Sequence, residues 1–183
     1  MAEFQNGNTR AFERLFTRHK KPMFSFLMRQ VGRPSLAEDL FQEVFLRVIK
    51  AAQTYRPDAK FTTWLYTIAR NLVIDQTRRA KARPADHSSN AESEPWDDRP
   101  GAGGTAPDHR LLGDELQAEL QGAIDTLLPE QREVFLMREF LNLRFAEVAE
   151  IVGASENTVK SRMRYALEHL RQALGESGTR SHA

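Results

Sequence analysis

The stretch 84–109, PADHSSNAESEPWDDRPGAGGTAPDH, most restricts what this chain can fold into, because it splits 183 residues into two separately patterned blocks. It is rich in Pro, Gly, Ser and Asp and carries neither a helical nor a strand period, so it reads as a disordered linker. Its lone Trp96, set among acids, is odd for an inert tether. On either side the apolar spacing is helical throughout, with almost no alternating runs. The expected fold is all-α: two small helical domains, 1–83 and 110–175, joined by the acidic linker 84–109 and followed by a disordered tail at 176–183.

The first block predicts helices near 9–30, 35–53 and 61–82, and the second near 110–126, 130–141, 144–152 and 155–175. Ser35-Leu36-Ala37-Glu38 reads as a capping box that starts the second helix. Pro129 suits a first helical turn, and Gly153 breaks the pattern between the last two helices.

The absence of cysteine excludes a disulfide framework, a thiolate metal site and a catalytic thiol, and suits a reducing compartment. No apolar run nears the ~20 residues that span a bilayer. The opening MAEFQNGNTR lacks a signal-peptide core, so a soluble cytoplasmic protein is expected. The histidines (His19, His87, His109, His169, His182) are scattered, no Gly-rich phosphate loop is present, and the pair Asp97-Asp98 falls in the linker. No catalytic residue, metal ligand or cofactor is therefore expected, and the chain is not read as an enzyme.

The overall charge of +1 hides a segregation. Residues 1–83 hold 16 Lys and Arg against 7 Asp and Glu, a net +9. Residues 84–109 hold 1 against 6, a net −5, and residues 110–183 hold 9 against 12, a net −3. A basic first block is the footprint expected of polyanion binding.

Within that block, Phe61–Arg79 serves two purposes at once. Phe61, Leu65, Ile68 and Leu72 make a core stripe; Trp64, Asn71, Asp75 and Arg78 form a flank, and Thr63, Tyr66, Arg70 and Ile74 the far side. Aromatics interleaved with arginine and amides can hold unstacked bases beside a phosphate backbone. From these residues alone a core helix with a solvated face stays open. In the helix 35–53, Ala37, Leu40, Phe41, Val44 and Val48 form the core stripe, opposite Asp39, Gln42, Glu43, Leu46 and Ile49. Carboxylates mixed with exposed aliphatics on a basic domain suit a basic protein partner. A salt-bridged surface helix remains the alternative.

The second block ends in a helix-turn-helix pattern. Ala149, Gly153 and Val159 have the spacing of a close helix crossing, and Ser155 is an N-cap. Val159, Met163, Leu167, Leu170 and Leu174 make the expected buried stripe of the last helix. Asn157, Ser161, Arg164, Tyr165 and Glu168 point away, with Thr158, Lys160 and Arg162 on the shoulders. Such a helix can enter a major groove. Its cations Lys160, Arg162, Arg164 and Arg171 outnumber Glu168, although the block as a whole is acidic. Alone, so modestly basic a domain should bind DNA weakly.

Five segments, AFERLFTRH (11–19), AEDLFQEVFLRV (37–48), FTTWLYTIARNLVID (61–75), LLPEQREVFLMREF (127–140) and FAEVAEIVGASENTVKSRM (145–163), resemble in order those of the extracytoplasmic-function subgroup of bacterial RNA polymerase sigma factors. The resemblance implies that 1–83 is the region 2 domain, which binds core polymerase and melts the −10 promoter element, and that 110–175 is the region 4 domain, which reads the −35 element. It places Asp39, Gln42, Glu43 and Leu46 against the coiled coil of the largest polymerase subunit. It gives the −10 base and the non-template strand to Tyr55, Arg56, Lys60, Phe61, Thr63, Trp64, Tyr66, Arg70, Asn71, Arg78 and Arg79. It gives −35 DNA to Arg138, Asn157, Thr158, Lys160, Ser161, Arg162, Arg164 and Tyr165, where Tyr165 stands in place of the family's usual arginine. An anti-sigma factor is a further implied partner.

Strand opening costs about 1.4 kcal/mol per stacked step, and each base stacked on an aromatic returns roughly 1–3 kcal/mol. The aromatic and arginine content of 61–79 matches that need. A 26-residue coil spans roughly 30 Å, whereas promoter elements about 20 base pairs apart lie ~70 Å from each other. The linker is thus expected to be drawn out, its acids suiting a basic channel. The competing reading is a stand-alone helix-turn-helix regulator.

Overall fold

The computed structural model describes residues 1–56, 60–82 and 118–180. The expected linker, its Trp96 and the first residues of the helix expected near 110–126 lie outside the described residues. Eight α-helices make up the described part, with no strand among them. They are α1 (Ala2–Gln5), α2 (Thr9–Val31), α3 (Pro34–Lys50), α4 (Phe61–Ala82), α5 (118–125), α6 (Pro129–Glu139), α7 (Phe145–Val152) and α8 (Glu156–Arg180), with a 3-10 turn at Ala52–Thr54.

Helices α2, α3 and α4 form a bundle around Met23, Phe26, Leu27, Val44, Val48 and Leu65, all nearly inaccessible to water. Phenylalanines tighten it: Phe16 lies edge-on to Phe45 at 4.8 Å, and Phe41 and Phe45 are 5.0 Å apart. Asn8 caps α2 by accepting from the Ala11 N–H at 3.3 Å. Gly32, at φ 65°, ends α2 in the left-handed conformation that glycine tolerates best. The capping box expected at Ser35 is corrected. Helix α3 begins one residue earlier, with Pro34 in its first turn and no side-chain cap on Arg33. Proline's fixed φ starts the helix, so Ser35 lies inside it.

The second bundle packs α6, α7 and α8 around Val134, Leu136, Met137, Val148 and Val159. Glycine at 153 takes φ 66° between α7 and α8, and Ser155 Oγ accepts from the Thr158 N–H at 3.1 Å, the expected turn and cap. Two expectations for the last helix are corrected. Its buried stripe runs through Val159, Met163, Ala166 and Leu170, while Leu167 is 48% exposed. At 100° per residue Leu167 falls about 80° from Val159, at the edge of the stripe, and Ala166 falls inside it. Helix α8 also continues to Arg180, past the expected end near 175. The glycines at 175 and 178 cost a helix only about 1 kcal/mol each, and no proline follows to stop it.

The two bundles do not stand apart. Helix α4 packs along α7 and α2 against α6, and the buried residues of both form one continuous apolar cluster.

Candidate nucleic-acid interface

Helix α4 carries the strand-capture residues expected from the sequence, and the fold sorts them into three environments. At its N-terminal end Trp64, Phe61 and Tyr55 make an aromatic ledge. Tyr55 lies 4.8 Å from Trp64 and 6.3 Å from Phe61, and the last two are 5.8 Å apart. His19 of α2 packs on the far side of Phe61 at 5.4 Å. Burial, aided by the Arg18 charge, holds this imidazole below its ordinary pKa, so it packs as a neutral ring. Asn71, Arg78 and Arg79, with Arg56 of the preceding loop, are exposed.

The third environment corrects the far-side assignment of Thr63 and Tyr66. Both are buried, at 2% and 3% exposure, and Tyr66 sits edge-on to Phe26 at 5.4 Å. Burial pushes its phenol well above the ordinary value. Thr63, Tyr66 and Arg70 lie at i, i+3 and i+7, a single stripe, and the second bundle meets that stripe. Arg70 donates to Glu133 of α6 through Nε at 2.8 Å and through a terminal nitrogen at 3.3 Å. Lys60, just before α4, donates to Glu147 of α7 at 2.6 Å. The Lys60 ammonium, with the Arg144 N–H, holds the Glu147 carboxyl below the usual carboxylate range.

Glu133 is the residue that sequence reasoning missed. It is 8% exposed, and a second arginine, Arg162 of α8, approaches its carboxylate at 3.9 Å. One carboxylate thus holds a cation from each expected DNA-reading helix. The available signal was its position in EVFLM, a run of five residues that are all buried. Further contacts close the same seam. Arg132 donates to the Gln30 carbonyl at 3.3 Å and Arg29 to Gln121 at 3.0 Å, and the Arg29 guanidinium lies 4.2 Å above the Phe140 ring.

On α8, Asn157, Thr158, Lys160, Ser161, Arg164 and Tyr165 are exposed, whereas Arg162 is drawn toward Glu133. Lys160 pairs with Glu156 one turn back at 2.7 Å. Arg164 leans on Tyr165, donating to its hydroxyl at 3.3 Å. Arg138 is held inside its own bundle: it donates to the Leu143 carbonyl and its guanidinium lies 4.3 Å over Phe145. That packing braces the helix-turn-helix.

Within the first bundle, α3 presents Asp39 and Gln42 to solvent, with Leu46 48% and Ile49 44% exposed. Glu43 accepts from Arg47 at 2.8 Å, and this hydrogen bond lowers its pKa. A groove between α3 and α4 runs beside these residues, lined by Asp39, Glu43, Arg47, Asp75 and Arg79. Among the described residues no group of acids and histidines is arranged to hold a metal ion, and no helix is long and apolar enough to cross a membrane.

The sequence profile of Sigma-70 region 2 matches residues 15–83, and that of Sigma-70 region 4 matches residues 117–170. The RNA polymerase sigma factor CarQ of Myxococcus xanthus is 33% identical over 96% of both chains. The ECF RNA polymerase sigma factor SigL of Mycobacterium tuberculosis is 31% identical over 90% of this chain and 89% of its own. In fold, the chain matches the sigma factor RpoE of Bartonella quintana, solved with the anti-sigma factor NepR. The TM-score is 0.69 at 20% identity, covering 91% of this chain and 98% of that one. With both characteristic regions present in order and relatives aligned end to end, the chain belongs to the extracytoplasmic-function subgroup of the sigma-70 family of RNA polymerase sigma factors.

Proposed function

We propose that the packed arrangement is the DNA-excluded form of a two-point promoter reader, and that core polymerase opens it by holding the two units apart. The observation that carries this reading is Arg70, an expected strand-binding cation, spent on Glu133 of the opposite unit. Parting the units returns Arg70 and Lys60 to the α4 surface, while Arg162 keeps its place beside Glu133 within the second unit. Tyr55, Phe61 and Trp64 then receive an unstacked −10 base, with Arg56, Asn71, Arg78 and Arg79 along the strand. Asn157, Thr158, Lys160, Ser161, Arg162 and Arg164 face the −35 element. Arg138 acts by bracing the turn, and Thr63 and Tyr66 support α4 from beneath. The acidic-aliphatic face Asp39, Gln42, Glu43 and Leu46 docks on the polymerase.

The factor makes and breaks no covalent bonds itself and works in the cytoplasm with the polymerase. An anti-sigma factor that stabilises the packed form would keep it off, in keeping with the NepR complex of the Bartonella relative.

Reconstituted transcription tests the reading. Core enzyme plus this chain should initiate on a promoter library at a defined −35/−10 pair, and the isolated chain should not retard the selected promoter. Retardation without polymerase, and no initiation with it, would support a stand-alone regulator instead.

A further inference from the structure

The short N-terminal helix α1 is not loose chain. Phe4 packs on Phe12 of α2 with ring centres 5.0 Å apart, Glu3 pairs with Arg14 at 2.6 Å, and Met1 packs against the apolar cluster. Gly7, at φ 89°, turns the chain from α1 into Asn8, the cap of α2. These anchors fix the last residue of α1, and its side chain reaches across fifty positions of sequence. Gln5 Nε2 donates to the Tyr55 carbonyl at 2.7 Å, a half-buried contact. Helix α1 also packs on the 3-10 turn Ala52–Thr54 that precedes Tyr55.

Tyr55 is where the backbone leaves that turn in an extended conformation, φ −61° and ψ 128°. Its ring completes the ledge with Trp64 and Phe61. The other two rings belong to α4 and are positioned by its packing. Tyr55 alone comes from a loop, and the fold must hold it by other means.

We infer that Gln5 is a positioning residue for −10 base capture: its amide fixes the Tyr55 carbonyl and so sets the third wall of the aromatic ledge. The inference rests on the strand-capture reading of that ledge. It assigns the N-terminal helix a part in promoter choice, although that helix carries no base-reading group of its own. The chemistry is one neutral hydrogen bond, so Gln5→Glu, which keeps size and shape but replaces the donating NH2 with an acceptor, is the discriminating change. Gln5→Lys restores a donor.

The experiment uses holoenzyme assembled from core polymerase and the full chain, on a promoter library randomised at the −10 and −35 elements. Gln5→Glu should flatten the base preference at the captured −10 position by roughly 3–10-fold, the factor one hydrogen bond gives. Core affinity and −35 preference should stay unchanged, and Gln5→Lys should recover part of the −10 preference. An unaltered −10 profile, or an equal loss at both elements, would overturn the inference. Trp64→Ala runs in parallel. If Trp64→Ala loses −10 preference while Gln5→Glu keeps it, only the role of Gln5 falls; if both keep it, the strand-capture reading falls and takes this inference with it.

Discussion

Neutralising Glu133 should open the protein. In the packed form its carboxylate accepts two hydrogen bonds from Arg70, at 2.8 and 3.3 Å, with Arg162 at 3.9 Å and little water around it. Hydrogen bonds to charged groups contribute about 1.5–3 kcal/mol. Glu133→Gln keeps one acceptor but loses the charge, and its NH2 faces guanidinium donors. Arg70 can return to water when the units part, whereas Arg162 stays beside residue 133 in both forms, so the loss of the Arg70 bonds falls on the closed form. A shift of about 2–3 kcal/mol moves the open-to-closed ratio roughly 30- to 140-fold, at 1.4 kcal/mol per tenfold. A ligand that binds only the open form gains affinity in proportion to the open fraction. The isolated variant should therefore bind forked promoter DNA at least roughly tenfold more tightly than the unaltered chain by fluorescence anisotropy. Glu130→Gln, an exposed site one turn earlier on α6 with the same change in net charge, controls for long-range electrostatics. Binding by Glu133→Gln within twofold of that control would rule out a closed form held by the Arg70–Glu133 pair.

Other expectations follow from the same geometry. Trp64→Ala combined with Arg70→Ala should leave core binding intact but block open-complex formation, read by permanganate footprinting; normal melting would remove the role assigned to α4. Charge reversal at Asp39 and Glu43 should weaken co-purification with core polymerase by at least about tenfold, as expected when attraction at a charged interface becomes repulsion; unchanged co-purification would count against the docking face. Because the folded fold holds His19 below its ordinary 6.5, its neutral form stabilises the fold above that pH, and this contribution is lost as pH falls through the lowered value. Thermal melting should thus drop as pH falls below the ordinary histidine value of 6.5, and His19→Gln should reduce the drop.

Much of the architecture was legible because local physics decides it. The 3.6-residue spacing of Ala37, Leu40, Phe41, Val44 and Val48 marks α3 directly, and all five are buried. Gly153 and Ser155 mark the turn into α8 because each has a local conformational or capping task. What local pattern could not supply is which surface meets which. Along one stripe of α4, Tyr66 packs on Phe26 of the first bundle while Arg70 reaches Glu133 of the second, and only the second bundle explains where Arg70 goes. The second block is acidic as a whole, and two of its acids, Glu133 and Glu147, face cations of the first block. Gln5 and Tyr55 pair across fifty residues through a side chain and a carbonyl, a contact with no periodicity to reveal it. At the ends of helices the errors were small and energetic: Pro34 outweighed Ser35 as a start, and Gly175 was too weak a stop.

The two units should be closed in isolation and parted on polymerase. The chain has no cysteine, so Ser25→Cys on α2 and Gln172→Cys on α8, both at exposed positions, accept a fluorophore pair cleanly. Single-molecule energy transfer should be high for the isolated factor and fall to a single low value in the holoenzyme, with Glu133→Gln shifting the isolated factor toward that low value. An isolated factor already at low transfer, or a holoenzyme still at high transfer, would contradict this opening.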